Sequence, residues 1–309
     1  MQPVSPEPSI AYLIVSHKLP RQVLRLVSTL RLGSPDSHIV IHHNPKGVAL
    51  DRSALAALDA RQIEPATPVL WGHISHLIAL LRCFSWLLTH TTFDWLVLLS
   101  GQDYPVRPLA DIERDLATAN VDAFIESHAC PRPRGRQIDE FAMRYHFRWR
   151  QVPPWVTHMR ACTPWTGVVR VRSLPRSGSW LGVRARRSPF SDSFVCHVGS
   201  DWFTLSRRAL ESLNDFNLLR PDVLEYYGHT LMPTESFLQT VLANQPGLRL
   251  AADSRRFTIW DEPPATAPRI LGAPDLAALV ESRCDFARKF DESVDRTVLD
   301  ELDRRIGAT

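Results

Sequence analysis

The amino-acid sequence predicts an α/β fold with a mostly parallel central sheet, helices on both faces and a long irregular insert. Apolar runs of strand length alternate with segments of helical spacing through the first 127 residues, an order typical of β-α-β units. The strand runs are apolar throughout, as expected for strands that are buried on both faces. From about residue 130 to residue 193 this periodicity stops, and prolines, arginines and tryptophans replace it.

The first half of the chain contains five predicted strands separated by helices. The apolar run Ile10–Ser16 is the first strand, and a helix over 21–32 follows it, with apolar residues three or four positions apart until Gly33 stops it. Asp51 is the predicted N-cap of the next helix. The other elements are strands at 38–42, 69–71, 95–101 and 122–126 and helices at 51–61, 73–90 and 110–119.

Strand-like sequence returns after the insert and completes the fold. We predict a strand at 196–205 and helices at 207–214, 235–243 and 275–281. In open sheets of this kind, ligands bind beyond the carboxyl ends of the strands. The residues predicted there include Ser16, His17, Asn44, Trp71 and Asp103. From local sequence, Asp103 could equally brace the turn before Pro105, and Trp71 could be a core aromatic.

The composition indicates a globular protein and excludes several other classes. Hydrophobic residues make up 44% of the 309 residues and charged residues 22%, and the net charge of +3 does not indicate nucleic-acid or membrane binding. The longest apolar run, around 77–88, contains Arg82 and is shorter than the ~20 residues of a membrane span. The polar residues 1–9 do not resemble a signal peptide. The five scattered cysteines contain no C-x-x-C pair, so we expect packed thiols in a reducing cytoplasm.

One acid followed by spaced cations is the candidate catalytic set. Glu235 follows Pro233 at a predicted helix start, and Arg256, Arg269 and Lys289 come later. A carboxylate can act as a base toward a hydroxyl, and cations can hold a diphosphate, so the set indicates sugar transfer from a nucleotide donor. No Asp-x-Asp triplet occurs, so the cations would have to replace a divalent metal. Locally, Glu235 could also be a helix-dipole residue and Lys289 a surface charge.

Six sequence blocks fall in an order that resembles a known family. They are 10–17, 71–75, 98–105, 199–207, 233–235 and 286–291. Over roughly residues 10–291, the chain is similar to the core-2/I-branching β-1,6-N-acetylglucosaminyltransferases, a family that also contains peptide O-xylosyltransferases. The resemblance implies a GT-A-type glycosyltransferase fold, a UDP-sugar donor, inversion at the anomeric carbon, and neither a metal nor another cofactor.

The resemblance also implies roles for individual residues. Glu235 matches the catalytic base, and Lys289 matches a donor-phosphate ligand with Arg269 or Arg256 as its partner. Asn44, a further implied donor-binding residue, stands where the family often has an aspartate, and its amide can still hydrogen-bond a ribose or a uracil. The other implied donor-binding residues are Val15, Ser16, His17, Trp71 and Asp103, and the implied acceptor-binding residues are Trp260, Asp201, Trp202 and Arg144.

By this resemblance, residues 1–309 form a single glycosyltransferase domain with four parts. The predicted parts are a nucleotide-sugar-binding half (10–127), an Arg/Trp-rich insert (128–193), an acceptor and catalytic half (194–291) and a C-terminal helix (292–309).

The sequence therefore predicts a bacterial-type, cytoplasmic, metal-independent inverting glycosyltransferase. The expected donor is a UDP-sugar, with UDP-N-acetylglucosamine ranked first and UDP-xylose second. The expected acceptor is a glycan, a peptide or a small molecule. We expect no nucleic-acid partner and no integral membrane segment.

The alternative is a non-catalytic carbohydrate- or nucleic-acid-binding protein, and the insert is the evidence for it. Residues 131–189 contain thirteen arginines and two acids, together with Trp149, Trp155, Trp165 and Trp180. This segment could be a solvated loop region or an acceptor platform, and a nucleic-acid surface would look similar. A nucleic-acid role leaves Glu235 and the strand-end blocks unexplained.

Overall fold

The computed structural model describes residues 8–130, 132–133, 138–158, 168–174, 177–262 and 267–307. The strands are β1 (Ile10–Ser16), β2 (His38–His43), β3 (Ala60–Gln62), β4 (Trp95–Ser100), β5 (Asp103–Pro105), β6 (Ala123–Ile125), β7 (His128–Ala129), β8 (Phe147–Val152), β9 (Val169–Leu174), β10 (Gly178–Arg184), β11 (His197–Val198), β12 (Phe203–Ser206), β13 (Leu250–Ala251), β14 (Arg256–Thr258) and β15 (Phe286–Arg288).

Helices occupy both faces of the sheet and part of the insert. They are α1 (Pro20–Gly33), α2 (Arg52–Ala57), α3 (Ile74–His90), α4 (Leu109–Ala117), α5 (Glu140–Tyr145), α6 (Trp155–His158), α7 (Arg207–Leu219), α8 (Pro221–Tyr227), α9 (Phe237–Ala243), α10 (Leu276–Glu281) and α11 (Thr297–Ile306). Short 3-10 turns span Pro233–Glu235 and Ala273–Asp275. No helix in the described ranges combines the length and apolar character that crossing a bilayer requires.

The central sheet has the strand order β13-β6-β12-β4-β1-β2-β3. Strand β12 runs antiparallel to both of its neighbours, and the other pairings in this sheet are parallel. Val15 pairs with His42 of β2 and Ser100 of β4, so the carboxyl ends of these three strands lie at one edge. The predicted mostly parallel sheet is confirmed.

Alternation along β1 supplies two separate cores. Ala11 and Leu13 pack on one side of the sheet with residues of α3, α7 and α9, whereas Tyr12 and Ile14 pack on the other with residues of α1, α4 and α11. All four side chains have no exposed surface. Because a strand buried on both faces needs apolar residues at every position, the continuous apolar run follows directly from this packing. The predicted placement of helices on both faces is also confirmed.

The insert is more regular than the sequence indicates. Strands β8, β10 and β9 form an antiparallel sheet, and Trp149 and Trp180 are buried with Phe147 and Leu231. These two tryptophans are therefore core residues and not exposed stacking surfaces. Trp155 is 63% exposed, and the predicted Trp165 lies outside the described residues.

Three predicted elements differ from the structure. The strand predicted at 69–71 is absent, because neighbouring side chains bind its backbone: Asn44 donates to the Val69 carbonyl, and the Leu70 N–H donates to Ser75. The helix predicted at 51–61 ends at Ala57. The strand predicted at 196–205 is divided into β11 and β12 by the loop 199–202.

Candidate active site

Glu235 lies in a short turn that several hydrogen bonds hold in place. Met232, just before the turn, adopts a left-handed conformation with φ 51° and ψ 51°, which costs on the order of 1–3 kcal/mol for a residue other than glycine. Its N–H donates to the Gly72 carbonyl at 3.0 Å, and its carbonyl accepts from Glu235 N–H at 3.0 Å and Tyr145 OH at 2.9 Å. These bonds offset the strain and fix the direction of the chain at Glu235, just before α9.

Gly199 joins the Glu235 turn to the central sheet. Its N–H donates to the Glu235 carbonyl at 2.9 Å. A Cβ at this position would lie 1.9 Å from the Glu126 carbonyl oxygen, a backbone atom that cannot rotate away. Only glycine permits this approach without a shift of the backbone.

We expect Gly199→Ala to lower the free energy of unfolding by roughly 1–3 kcal/mol, because the methyl group forces two backbone segments apart. Activity should fall with it, since the displaced segment holds the Glu235 turn. Chemical denaturation measures the first effect. Gly272→Ala is the control, because its nearest contact is the Asp295 side chain at 2.8 Å, which can shift at a smaller cost than a backbone carbonyl. An unfolding curve for Gly199→Ala that matches the wild type would contradict the packing argument.

The Glu235 carboxylate is paired with an arginine from the insert. Arg144 of α5 donates to Glu235 Oε2 at 2.6 Å and to Glu140 Oε1 at 3.1 Å. Arg172 of β9 donates to both Glu140 oxygens, at 2.8 and 3.1 Å. Arg172 and, to a smaller extent, Arg144 lower the pKa of Glu140 to about 2. Arg144 is thus held between two carboxylates, and the insert orients the Glu235 side chain.

Burial and a second carboxylate make Glu235 a weak acid. Burial raises its pKa to about 7, the nearby Asp201 carboxylate adds to this, and Arg144 opposes both. Asp201 Oδ1 is buried without a hydrogen-bond partner among the described residues. The Glu235 side chain is nevertheless 30% exposed, so a substrate hydroxyl can reach it. A pKa near neutral pH is suited to a general base.

The loop 199–202 connects Glu235 with the C-terminal cations. The Asp201 carboxylate is near enough to Glu235 for its charge to raise the pKa of Glu235. The next residue, Trp202, has the Arg288 guanidinium 4.2 Å above its ring. Arg288 also donates to Asp103 Oδ1 at 3.0 Å. Lys289 follows directly in the chain, so the loop contacts both the predicted base and the segment that carries the predicted phosphate ligand.

Arg269 and Trp260 lie on segments next to Lys289. The Leu271 N–H donates to the Lys289 carbonyl at 2.9 Å, and the Arg269 N–H donates to the Ile259 carbonyl at 2.8 Å. The Arg269 guanidinium binds Asp275 at 2.6 Å and its side chain is 38% exposed. These hydrogen bonds place the segments that carry Trp260, Arg269 and Lys289 next to one another.

Arg256, the other predicted phosphate ligand, is placed inside the protein. It is 8% exposed and its guanidinium donates to the carbonyls of Leu98 and Phe203 between β4 and β12. It also stacks over Phe286 at 4.8 Å. Because protein groups surround the guanidinium, Arg256 serves to join strands, and Arg269 is the arginine that remains accessible.

The strand ends are tied together by their own polar groups. Asn44 N–H donates to the Ser16 carbonyl at 2.8 Å, and Ser16 Oγ lies 2.8 Å from His43 Nδ1. Val15 is half-buried and His17 is exposed at the same edge. The Asn44 amide donates to the Val69 carbonyl at 2.9 Å, which holds the segment before α3 against this edge.

Asp103 has no exposed surface, so its predicted direct contact with a donor does not fit its position. Its carboxylate accepts from the Ser100 N–H at 3.0 Å and the Ser100 hydroxyl at 2.5 Å, in addition to Arg288. Asp103 braces the turn between β4 and β5, which is the second of the two interpretations that the sequence leaves open.

Two predicted tryptophans are more exposed than their residue type usually is. Trp71 is 40% exposed and Trp260 is 58% exposed. The structure therefore places both at the surface, and the core position that the sequence also allows for Trp71 is not adopted. An accessible indole beside polar groups is suited to stacking on a base or a sugar ring.

Glu140, Arg172 and Met232 have roles at the site that were not predicted from the sequence. The four-residue spacing of Glu140 and Arg144 could have predicted their ion pair on α5. Nothing in the sequence indicates that Arg172 reaches Glu140 from a different strand, or that Met232 adopts a left-handed conformation.

The chain is similar to known proteins of one family over most of its length. Residues 10–280 match the family model described as Core-2/I-Branching enzyme. The chain is 27% identical to xylosyltransferase 2 of Rattus norvegicus over 98% of its length and 34% of the relative's. It is 25% identical to a xylosyltransferase of Ciona intestinalis, over 96% of this chain and 34% of that protein. For xylosyltransferase 1 of Homo sapiens the values are 27%, 82% and 24%.

The chain spans about a third of the length of the first two of these relatives and a quarter of the third. The matched region includes the Glu235 turn, the loop 199–202 and the insert.

Proposed function

The chain belongs to the Core-2/I-branching enzyme family, and from this premise we propose that it is an inverting glycosyltransferase that moves a sugar from a UDP-sugar to an acceptor hydroxyl. The observation that carries the proposal is the half-buried Glu235, whose pKa is raised to about 7 and whose carboxylate is held by Arg144 at 2.6 Å. Inverting transfer is a single displacement and needs one base, unlike the two carboxyls of a glycosidase.

In the proposed reaction, Glu235 accepts the proton of the acceptor hydroxyl. The acceptor oxygen forms a bond to the anomeric carbon as the bond from that carbon to the diphosphate oxygen breaks, and UDP leaves with the electron pair. Arg144 orients the Glu235 carboxylate, and Arg144, Asp201 and Trp260 are the proposed acceptor-side residues. Their position around Glu235 or next to Lys289 supports this assignment. Trp202, also predicted on the acceptor side, is buried at 8% exposure beneath Arg288, so it supports the loop that carries Asp201.

The proposed leaving-group site consists of Lys289 and Arg269. Each cation in contact with the diphosphate would contribute up to about 4 kcal/mol at an effective dielectric of 20, before desolvation is subtracted. Val15, Ser16, His17 and Trp71 are the proposed contacts of the nucleotide. Because the chain has no Asp-x-Asp triplet, we propose that these cations act in place of a divalent metal.

The transferred sugar is either N-acetylglucosamine or xylose. The sequence alone ranks N-acetylglucosamine first, whereas the similarity to xylosyltransferases favours xylose. Incubating the chain with each UDP-sugar and a panel of glycan, peptide and small-molecule acceptors, followed by mass spectrometry, separates the two. Absence of UDP release with every donor would contradict the proposal and favour a binding protein.

The same assay with EDTA present tests the metal independence. We expect transfer to persist at an unchanged rate. A loss of activity that Mg²⁺ or Mn²⁺ restores would overturn this part of the proposal, because those ions bind oxygen ligands such as the diphosphate.

We also propose a cytoplasmic location, which cell fractionation would test and recovery outside the cytoplasm would contradict.

We expect kcat/KM to fall as the pH drops through about 7, because burial and Asp201 raise the pKa of Glu235 to about 7 and a protonated carboxyl cannot act as a base. The sign follows from the raised pKa: the neutral acid dominates below it and the active carboxylate above it. A pH–rate profile measures this. A flat profile down to about pH 5 would show that a different group is the base.

Asp201→Asn provides the matching test of the cause. Removing the Asp201 charge lowers the pKa of Glu235, so the acidic limb of the profile should move to lower pH. Asp222→Asn, at an exposed position on α8, should leave the limb in place.

A further inference from the structure

Two cysteines and a histidine lie close together in the protein interior, and none of the three has a part in the proposed reaction. Cys130 follows β7 and Cys196 precedes β11, and the Cys130 N–H donates to the Cys196 carbonyl at 2.7 Å, so the two are opposite each other in the ladder. His146 follows α5. The three residues are 5%, 1% and 4% exposed, respectively, and their candidate ligand atoms lie within 4.8 Å of one another.

We propose that Cys130, His146 and Cys196 form a structural zinc site. Thiolates and imidazole are the preferred ligands of zinc, and bonds of about 2.3 Å place two sulfurs about 3.8 Å apart on a tetrahedral ion. Ligand atoms within 4.8 Å therefore need to move by about 1 Å at most. Among the described residues, this is the only group of three His, Cys, Asp or Glu side chains close enough to share an ion.

Charge and hydrogen bonding support a divalent ion. Zn²⁺ with two thiolates and a neutral imidazole has no net charge, so burying the complete site avoids the cost of an unpaired charge. His146 Nε2 lies 3.2 Å from the Cys130 carbonyl oxygen. A ligating histidine usually donates its other N–H to such an acceptor, which leaves the remaining nitrogen its lone pair for the metal.

A fourth ligand is available from solvent. A cavity of about 110 Å³ reaches His146 and is lined by Arg132, Pro133, Arg184, Ala185 and Ser188. It is large enough for water, and a water molecule can complete the tetrahedral shell of zinc.

The site would connect the segments that carry the proposed base and its partner. Cys196 Sγ lies 3.6 Å from Ser236 Oγ, and Ser236 follows Glu235. His146 is two residues beyond Arg144 in the chain. An ion bound to all three residues would tie the insert to the β7–β11 ladder and hold Arg144 and Glu235 in register. It would be structural and, because its three ligands are 5% exposed or less, it would not be lost to EDTA during a transfer assay, so the cations assigned to the diphosphate would keep their role.

The test is the metal content of the full chain, purified without added metal or chelator and measured by plasma mass spectrometry. We expect about one zinc ion per chain. Replacement by Co²⁺ should give the strong visible absorption of a tetrahedral site and a sulfur-to-metal band in the near ultraviolet. Cys130→Ser and Cys196→Ser should lose both signals, whereas Cys83→Ser, a buried thiol outside the group, should keep them.

Two results would overturn the proposal, and both are read on the unmodified chain even if the variants fail to fold. Absence of zinc with all thiols reactive after denaturation means that the cysteines are only packed in the core. Absence of zinc with a peptide mass two hydrogens lower means that Cys130 and Cys196 form a disulfide. Neither result depends on transferase activity, so the proposed function is judged separately.

Discussion

Glu235→Gln is expected to lower kcat for sugar transfer by about 10²–10⁴-fold, the usual contribution of a positioned general base. Glutamine keeps the size of the side chain and can still accept from Arg144, so the turn at Pro233–Glu235 should keep its shape. It cannot accept the acceptor proton. Donor binding should change little, because Glu235 acts on the acceptor side.

Initial rates of UDP release and calorimetric binding of UDP measure these two effects. Glu211→Gln is the matched control, since this carboxylate is on α7, is half exposed and forms an ion pair with Arg207. Circular dichroism verifies that both variants fold. A Glu235→Gln enzyme with the wild-type rate would remove Glu235 from the mechanism.

Lys289→Met is expected to lower kcat/KM by about 10²–10³-fold, the effect of removing one group that stabilises developing charge. The unbranched methionine side chain is one atom shorter than lysine and cannot balance the charge that the diphosphate gains as it leaves. UDP should also bind more weakly. Lys289→Arg should restore only part of the activity, because a planar guanidinium does not replace a compact ammonium group.

Lys46→Met is the control for Lys289→Met, because Lys46 is an exposed lysine after β2. Arg269→Ala should resemble Lys289→Met in lowering the affinity for UDP. If Lys289→Met and Lys46→Met both keep the wild-type activity, the cations assigned to the diphosphate are wrong even if Glu235 is the base.

The alternation of strands and helices could be predicted because it depends on residues close together in the chain. The apolar runs at β1 and β4 are buried on both sides of the sheet, and the spacing in α1 and α3 follows a single helical face. The predicted GT-A-type fold class is confirmed by the family to which the chain belongs. The division into four functional parts remains a prediction.

The predicted elements differ from the structure where a contact with a residue distant in the sequence outweighs the local pattern. The segment 199–202 has strand-like composition, but Gly199 approaches the Glu126 backbone and the chain leaves the sheet there. This departure brings Asp201 next to Glu235 and Trp202 beneath Arg288. The zinc ligands lack a recognisable spacing for a similar reason, since they come from three separate segments.

The architecture, the family and the candidate base can be predicted from the amino-acid sequence, because periodicity and short motifs are local properties. The charged groups that surround this base become known only from the folded structure. Arg144 and Glu235 are 91 positions apart, and Arg288 and Asp103 are 185 apart. Pairing, burial and the resulting pKa depend on distances in space, which the order of residues does not specify.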